Sequence, residues 1–414
     1  MKKLLLILLC FPMIGFGQSW EVNIGNNLTE DFGYSILELN SGYLAIGSSE
    51  SNTNTKGIVS KVDINGNVIW MENYTDTTSI ELYAGIETTN NNFLLVGSKS
   101  RHLQPSQHYL LKIDGNGNKI FETTFNIALS SGISINNIFN TTNNNYMIVG
   151  YGSSNNNYEI SMLEINSSGN LIGSSTYQCD STINEINLIR QSTNGEYLFT
   201  GEYFNSPNYN KCSFILSLNP NCTLNWLTSY CDSAYYYEST TVINTNDGGY
   251  AITGRKEPHT HLIKTNSNGI FQWEKTYNLS TSYDWALDVF QTNDNGFILT
   301  GQADDSLFLL KVDSIGFQEW KSTYGATGTS AGVMVKQTSD LGFIVTGYYN
   351  ENQIYLIKTD GNGNVTSTFN IPTPNSNRKL EKVVDILGRK TKQTNQPLFY
   401  IYDDGTVDKR IVIE

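Results

Sequence analysis

Charge, and positive charge above all, is scarce in this sequence. Only 16% of its 414 residues are charged, and 26 lysines and arginines stand against 39 aspartates and glutamates, for a formal net charge of −13. Nucleic-acid binding needs clustered basic residues, so the acidic balance argues against that class of protein. Alanine, glutamate and lysine are not enriched, which argues against a coiled coil. A content of 39% hydrophobic and 12% aromatic residues is too high for a disordered chain.

Long apolar runs are also missing, so the sequence predicts no transmembrane segment. The first 17 residues have a basic start, the short apolar run Leu4–Leu9 and a Gly-Phe-Gly ending before Gln18. This pattern predicts a secretory signal peptide over residues 1–17 and therefore a secreted protein. Cys10 raises lipid attachment as an alternative, but the residue before it is a leucine and not a small residue.

One pattern recurs seven times along the body of the chain. Each copy has an apolar strand ending in glycine, a polar loop, a Lys-x-Asp or variant, a turn, and a segment with tryptophan near its start and tyrosine near its end. A late copy runs through Gly301, Lys311, Asp313, Trp320 and Tyr324. The glycines that end the apolar strands are Gly47, Gly97, Gly150, Gly201, Gly254, Gly301 and Gly347. Their spacings are 50, 53, 51, 53, 47 and 46 residues, and such a period indicates a propeller or a repeat array.

Within each copy the apolar residues alternate with period two, and turns rich in asparagine and glycine separate the strands, as in hairpins. Four short strands with their turns fill about 50 residues, which is one blade of a propeller. The sequence therefore predicts an all-β protein, with a seven-bladed β-propeller of four-stranded antiparallel blades over residues 18–370. Six or eight blades are the alternative counts, and a solenoid of parallel strands is the rival architecture.

The two ends of the repeat region predict how the ring closes. Residues 20–23 resemble the outer strand of later copies, and they precede the first copy without inner strands of their own. In the last copy, Ser367 replaces the tryptophan. The simplest prediction is that the N-terminal strand completes the seventh blade, because an open ring would leave exposed edge strands. Alternatively, residues 365–369 form that blade's own outer strand.

The repeat resembles the secreted bacterial propeller repeat of the form Lys-x-Asp-x-x-Gly-Asn-x-x-Trp, over roughly residues 20–369. It also looks distantly like quinoprotein repeats, in which a tryptophan docks neighbouring blades. Phe121 and Gly173 replace the tryptophan in the second and third copies. The resemblance implies that these tryptophans pack blade against blade, and it implies nothing specific about function.

The C-terminal residues 378–414 differ from the ring in composition. Residues 371–377 form a proline- and asparagine-rich linker, and the tail beyond it has a net charge of +2. Asp404-Gly405 lies between two apolar segments, which predicts a short β-hairpin. With Leu387-Gly388-Arg389, this hairpin resembles the C-terminal sorting domain of the type IX secretion system of Bacteroidetes. The resemblance implies type IX secretion machinery as a partner and export through the outer membrane, with release or attachment at the cell surface.

Four cysteines remain after the predicted signal peptide, and an even number in a secreted protein suggests disulfides. Cys212 opens the third strand of blade four and Cys231 follows the fourth strand, so both lie at the same end of that blade. We therefore predict a Cys212–Cys231 disulfide, or failing that a bond from Cys179 to one of them, with Cys222 unpaired. The sequence has no Cys-x-x-Cys pair to suggest a zinc or redox site.

Catalytic motifs are absent, including Gly-x-Ser-x-Gly, His-Glu-x-x-His and a phosphate-binding Gly-Lys-Ser/Thr. Turns headed by Asp63, Asp114 and Asp360 superficially resemble calcium loops, but they offer one acid each where calcium needs six to eight oxygens. Asx-turn chemistry explains them without metal. The four histidines lie on the face with the long loops, in blades too far apart for one metal site: His102, His108, His259 and His261. We predict neither metal nor cofactor.

Aromatic residues gather on that same face, between strands two and three and between blades: Tyr235, Tyr236, Tyr237, Tyr283, Trp285, Tyr348 and Tyr349. Flat apolar rings with polar edges on loops suit carbohydrate or protein recognition. We therefore predict a non-catalytic binding or adhesion module for glycan or protein. One alternative is an extracellular enzyme with its active site at the funnel, for which Asp284 and Asp288 are candidate acids. The other is a structural envelope protein.

Overall fold

The computed structural model describes residues 19–25, 29–51, 54–101, 106–126, 134–141, 144–154, 157–205, 210–232, 234–325, 328–365, 379–385, 389–390, 397–402 and 407–411. The chain divides into two compact units, Met1–Thr366 and Ser367–Glu414. The predicted signal peptide and linker lie outside the described residues and stay predictions.

The first unit is built from short β-strands. In chain order they are β1 Trp20–Ile24, β2 Glu30–Leu39, β3 Gly42–Glu50, β4 Thr55–Asp63, β5 Val68–Tyr74, β6 Ser79–Glu87, β7 Phe93–Ser100, β8 Gln107–Ile113, β9 Lys119–Phe125, β10 Ser134–Asn140, β11 Tyr146–Ser154, β12 Asn157–Ile165, β13 Leu171–Gln178, β14 Ile183–Gln191, β15 Tyr197–Asn205, β16 Asn210–Leu218, β17 Leu224–Tyr230, β18 Tyr237–Asn244, β19 Tyr250–Lys256, β20 His259–Thr265, β21 Phe271–Tyr277, β22 Asp284–Gln291, β23 Phe297–Ala303, β24 Ser306–Val312, β25 Gln318–Tyr324, β26 Ser330–Gln337, β27 Phe343–Tyr349 and β28 Gln353–Thr359. A single 3₁₀ turn, Thr89–Asn91, is the only helical segment in the described part of the chain.

These strands form seven antiparallel sheets of four, which confirms the predicted all-β, seven-bladed β-propeller. Blades one to six each use four consecutive strands, from β2–β5 through β22–β25. The seventh sheet has the order β1-β28-β27-β26, with Trp20 opposite Lys358 and Val22 opposite Leu356. The N-terminal strand therefore closes the ring, as predicted, and leaves no blade with three strands among the described residues.

A β-bulge in the innermost strand of every blade explains the seven spaced glycines. In blade six the pairing shifts between Ala286 and Asp288, and Gly301 lies opposite Ala286. A Cβ atom on Gly301 would overlap the carbonyl oxygen of Trp285. Glycine is required there because the bulge presses the neighbouring backbone against it. The strands run on for two to four residues past these glycines, so the glycines do not end them as the sequence pattern suggested.

The core lies between neighbouring blades, and the repeated tryptophans take part in it. The Trp273 ring covers Gly316 in the next blade, where a Cβ atom would come within 2.8 Å of the ring. The hydroxyl of Tyr277 donates a hydrogen bond to the Gly316 carbonyl oxygen at 2.9 Å. Five other aromatic–glycine pairs repeat the contact: Trp20–Gly66, Trp70–Gly117, Phe121–Gly169, Trp226–Gly269 and Trp320–Gly363. The tryptophans therefore dock blade on blade, as predicted.

The Lys-x-Asp motif combines two separate interactions. In blades five to seven the lysine is buried and forms an ion pair with an aspartate in the turn between the first and second strands: Lys264–Asp247 at 2.8 Å, Lys311–Asp294 at 2.9 Å and Lys358–Asp340 at 2.9 Å. The aspartate of the motif heads the next turn. Asp313 Oδ1 accepts hydrogen bonds from the backbone N–H of Ile315 and Phe317, at 3.0 and 2.8 Å. This is the Asx-turn geometry expected from the sequence.

The second unit contains β29 Leu380–Val384, β30 Pro397–Tyr402 and β31 Val407–Ile411, in one antiparallel sheet of that order. It has the predicted hairpin and one strand more. Asp385 accepts hydrogen bonds from the backbone N–H and Nε of Arg389, at 3.0 and 2.8 Å. Leu387-Gly388 and Asp404-Gly405 lie outside the described residues. Across the described parts of both units, no helix has the length and apolarity needed to cross a membrane.

Candidate functional site

The aromatic residues predicted for binding fall into separate groups on the face with the long loops. Tyr235 and Tyr236 are exposed, by 48% and 47%, whereas Tyr237 is only 3% exposed. The Lys256 ammonium lies over the rings of Tyr235 and Tyr237, 5.0 and 4.9 Å from their centroids. The Tyr237 hydroxyl donates to Glu274 Oε2 at 3.2 Å. Tyr237 is therefore part of the blade's packing, and only its two neighbours face solvent.

A second group joins blades six and seven through a buried glutamine. Gln302 Nε2 donates to the Tyr283 hydroxyl, and the Tyr348 hydroxyl donates to Gln302 Oε1, each at 3.4 Å. Trp285 lies opposite Gln302 in the strand register. The Arg255 guanidinium covers the Trp285 ring at 5.4 Å from its centroid. The buried indole N–H of Trp285 has no hydrogen-bond partner among the described residues.

Inner-strand aromatics that sequence reasoning missed extend this second group. Phe32 meets Tyr348 edge to face, with centroids 5.3 Å apart. Phe32 also stacks on Tyr34 at 6.4 Å, and Tyr34 contacts Tyr83 at 5.3 Å. We name the six residues the aromatic belt: Tyr283, Trp285, Tyr348, Phe32, Tyr34 and Tyr83. Tyr34 and Tyr83 lie at the β-bulges in the inner strands of blades one and two. The sequence pattern did not predict these bulges. An alignment of the repeats with the bulge positions marked would have been needed to identify the two tyrosines.

Carboxylates accompany the belt at its blade-one and blade-two end. The Tyr83 hydroxyl donates to the carboxylate of Glu81. Burial, followed by the charges of Glu81 and Glu50, raises the pKa of the Tyr34 phenol. Burial and the neighbouring Glu81 and Glu30 raise the pKa of Glu50. This end of the belt is therefore unfavourable for an anionic ligand.

Tyr349 belongs to neither group. Its ring lies edge to face against Tyr355, with centroids 5.5 Å apart. Both tyrosines line a small cavity of about 360 Å³ beside the closing strand, with Glu21 and Val22 among the other lining residues. The Tyr355 hydroxyl donates to Glu21 at 2.5 Å. The predicted residues are thus placed in three locations and do not form one continuous surface.

The histidines are engaged in the packing of the blades. His108 is buried and lies 3.0 Å from the Ser161 hydroxyl, and burial lowers its pKa to about 4. His261 is also buried, 3.7 Å from Glu274, and desolvation lowers its pKa although Glu274 acts in the opposite direction. His102 lies outside the described residues. No group of three or more His, Cys, Asp or Glu side chains suited to a metal ion occurs in the part of the chain that the structure describes.

The two acids named as enzyme candidates differ in their surroundings. Asp284 is fully buried, accepts a hydrogen bond from the Thr260 N–H at 2.6 Å and lies 3.0 Å from Nδ1 of His259. It also accepts from the Leu279 N–H at 3.1 Å, so it fixes the connection between blades five and six. Asp288 lies instead in the wall of the central channel.

The central channel contains a cavity of about 480 Å³, to which all seven inner strands contribute. Its charged lining residues are Arg190, Asp288 and Lys336. Arg190 Nη2 donates to Asp288 Oδ1 at 3.2 Å, and Lys336 Nζ donates to the Ile36 carbonyl oxygen at 2.8 Å. None of the seven aromatic residues predicted for binding lines this cavity.

The predicted Cys212–Cys231 disulfide is confirmed, with a Cα–Cα distance of 4.7 Å. Cys222 is a buried free thiol, as predicted, and Cys179 is another. Cys222 has φ 63° and occupies the turn position that is glycine in the other copies. Gly173 stands at the matching aromatic position of blade three. Burial raises the thiol pKa of both free cysteines to about 12, which leaves them as unreactive thiols.

Comparison with known proteins supports the fold and identifies no function. No protein-family model and no curated protein sequence matches the chain. Puromycin hydrolase is similar in structure, with 9% identity and a TM-score of 0.53 over 89% of this chain and 58% of that one. Polysaccharide lyase Uly1 is 8% identical, with a TM-score of 0.51 over 80% and 90%. A Bacteroides caccae protein of unknown function is 14% identical, with a TM-score of 0.45 over 69% and 94%. At these identities the similarity to puromycin hydrolase and Uly1 is one of fold and shows no activity.

Proposed function

We propose that the protein is an exported, non-catalytic binding module that recognises a neutral glycan through the aromatic belt. The observation that carries the proposal is the line of partly exposed aromatic rings from Trp285 to Tyr83. Export is proposed from the signal-peptide pattern and from the resemblance of the tail to a sorting domain.

The belt has the chemistry that a sugar ring requires. Aromatic faces cover the apolar C–H faces of a sugar, and polar edges bind its hydroxyls. The Tyr283 and Tyr348 hydroxyls, linked by Gln302, provide those edges. Glu81 and Glu50 at the far end, in a chain of net charge −13, favour an uncharged ligand over an anionic one.

The test is binding of neutral and acidic polysaccharides to the full chain and its variants, measured by isothermal titration calorimetry. Trp285→Ala removes one end of the belt, and Tyr348→Ala removes a ring within it. We expect each to weaken binding of a neutral glycan about tenfold or more, because truncation of an aromatic hot-spot residue costs about 2 kcal/mol or more. Tyr236→Ala is the matched control, because Tyr236 is exposed and lies outside the belt.

Equal affinities for the wild type and for both belt variants would overturn the proposal, as would tighter binding to acidic than to neutral glycans. Loss of binding in Tyr236→Ala alone would move the binding surface to the Tyr235–Tyr236 group.

A further inference from the structure

The cavity in the central channel lies at the end of the ring opposite the aromatic belt. Its lining residues come from the second halves of the inner strands, such as Arg190 on β14 and Lys336 on β26. Belt residues such as Phe32 come from the first halves, near the long loops. Because all inner strands run in the same direction through the ring, the two sites open towards different faces.

Two cations and one carboxylate make up the charged groups in the cavity wall. Arg190 uses one N–H, on Nη2, to bind Asp288 Oδ1, and Asp288 Oδ2 accepts from the Val335 N–H at 3.0 Å. No other hydrogen bond from the Arg190 guanidinium occurs among the described residues. A guanidinium has five N–H donors, so most of its donors remain available to a ligand.

Lys336 adds a positive charge that the wall does not neutralise. Burial and the charge of Arg190 lower the pKa of Lys336 to about 8, although Asp288 and Glu38 act in the opposite direction. Glu38 does not line the cavity, and its Oε1 accepts hydrogen bonds from the N–H and hydroxyl of Ser339 at 3.0 and 2.8 Å. An anion in the cavity would relieve the repulsion between Lys336 and Arg190.

The remaining wall combines amides with apolar side chains. Asn137, Gln191, Asn244 and Gln291 provide the amides, and Phe290 and Met334 are among the apolar residues. Asn137, Asn244 and Gln291 each use one N–H and the amide oxygen in hydrogen bonds within the protein. An amide has a second N–H and a second oxygen lone pair, which can still bind a hydroxyl in either direction. Apolar side chains cover the carbon face of a ring. The volume of about 480 Å³ lies within the range of small-ligand sites.

We infer that this cavity binds a small polyhydroxy carboxylate of the sugar-acid type, with the carboxylate between Arg190 and Lys336 and the hydroxyls at the amides. The site is independent of the belt, which we propose for a neutral glycan. Loss of one site therefore leaves the other intact, and the two proposals can fail separately.

Calorimetric titration of the full chain with D-glucuronate tests the inference. D-Glucose and D-glucuronamide serve as uncharged ligands of the same ring, and sulfate as an anion without hydroxyl-bearing carbons. We expect saturable binding of glucuronate and at least tenfold weaker binding of the other three. Glucose and glucuronamide lack the charge-assisted hydrogen bonds, and sulfate lacks the hydroxyls that reach the amides. No saturable glucuronate binding, or equal binding of glucose, would overturn the inference. Equal binding of sulfate would contradict the sugar-acid class of ligand and indicate a general anion site.

Glucuronate titration of variants tests whether the binding site is the cavity in the central channel. Lys336→Gln keeps a donor for the Ile36 carbonyl oxygen and removes the charge, and we expect it to weaken glucuronate binding about tenfold. Lys61→Gln, a half-exposed lysine outside the cavity, is the matched control and should bind as the wild type does. Unchanged affinity in Lys336→Gln would contradict the assignment.

A measurement on the wild-type chain covers the case in which Lys336→Gln does not fold. Lysine ¹³C labelling allows the Lys336 ε-carbon signal to be followed by NMR during the titration. We expect glucuronate to move this signal and to raise the pH at which it titrates. If glucuronate moves other lysine signals and leaves that of Lys336 unchanged, the carboxylate does not bind at Lys336 and the inference fails.

Discussion

Blades five to seven and the junction between blades three and four show two ways of building the same ring. In blades five to seven a tryptophan covers a turn glycine of the next blade, and a buried lysine pairs with a turn aspartate. At the junction of blades three and four, Gly173 replaces the aromatic residue and Cys222 replaces the glycine. Cys222 is buried in the core cluster of these blades, whereas the Cβ position of Gly173 faces open space, so the aromatic–glycine contact is not replaced by an equivalent one at this junction.

The comparison shows that the ring closes although one junction lacks the aromatic–glycine contact of the others. Blade four also carries the Cys212–Cys231 disulfide, which ties its third strand to the connection that follows its fourth. A blade with fewer of the repeated polar and aromatic contacts is thus reinforced covalently. The predictions below test whether the regular and the irregular region depend on these different contacts for stability.

Removing the disulfide should have the largest effect. The bond spans 19 residues, and closing a loop of that size contributes about 3 kcal/mol to the free energy of unfolding. We expect Cys212→Ala/Cys231→Ala to lose about that much in urea denaturation. A reductant should lower the stability of the wild type by a similar amount and leave the double variant unchanged. A reductant effect on the double variant would implicate another cysteine.

Removing one partner of a buried ion pair should be the next largest effect. Lys358 is only 1% exposed, and Asp340→Asn would leave its ammonium without a counter-charge. We expect a cost of about 2 kcal/mol, below that of a fully buried pair, because the Asp340 side chain is 30% exposed. Lys358→Met, which removes the charge as well, should cost less. The measurement is urea denaturation of both variants. If Lys358→Met is the more damaging change, the pair contributes by packing of the lysine stem and not by its charge.

Replacing a glycine by alanine should affect the free energy of unfolding differently in the two regions. Gly316 has φ +83°, and a Cβ atom there would lie 2.7 Å from the Lys275 side chain and 2.8 Å from Trp273. We expect Gly316→Ala to cost about 1–2 kcal/mol in the free energy of unfolding. Gly173→Ala is the matched control, because no atom lies within 4 Å of its Cβ position and its φ is not positive. Its stability should stay within about 0.5 kcal/mol of the wild type.

Acid should lower the free energy of unfolding through the turn aspartates of blades five and six. We expect this effect to be the smallest of the four, and it is confined to a narrow pH range. Burial alone would raise the pKa of Asp247 and Asp294, but hydrogen bonds and the paired lysines lower it to about 2. Because the folded pKa lies below the unfolded value of 3.8, these carboxylates stabilise the fold above pH 4. That contribution is lost as the pH falls from about 4 to 2. Asp247→Asn/Asp294→Asn should flatten the stability–pH curve in this window, and an unchanged curve would contradict the assignment.

Several features were predictable because they depend on local patterns. Strand direction favoured the Cys212–Cys231 disulfide over a bond from Cys179, since the third strand of a blade begins where the fourth one ends. The closing strand followed from the similarity of residues 20–23 to other outer strands. The role of the glycines did not follow, because the carbonyl that Gly301 must avoid belongs to a bulge on another strand.

The candidate site was predicted only in part, for a related reason. Tyr283, Trp285 and Tyr348 were recognised as loop-face aromatics, but their association through Gln302 depends on two blades meeting at one angle. Tyr237 looked equivalent to Tyr235 and Tyr236 in the sequence. It is buried because the strand β18 begins with it, and the side chains of a strand alternate between the two faces of the sheet.

The sequence by itself determined the number of blades, their four strands, the closure of the ring and the covalent bond, since periodicity and turn chemistry act within one or two blades. Only the tertiary structure decided which side chains meet across the ring. Arg190 and Asp288 are 98 residues apart and come together because a closed ring directs one strand from every blade towards the same axis. The aromatic belt and the charged cavity exist because of that convergence, which no single repeat encodes.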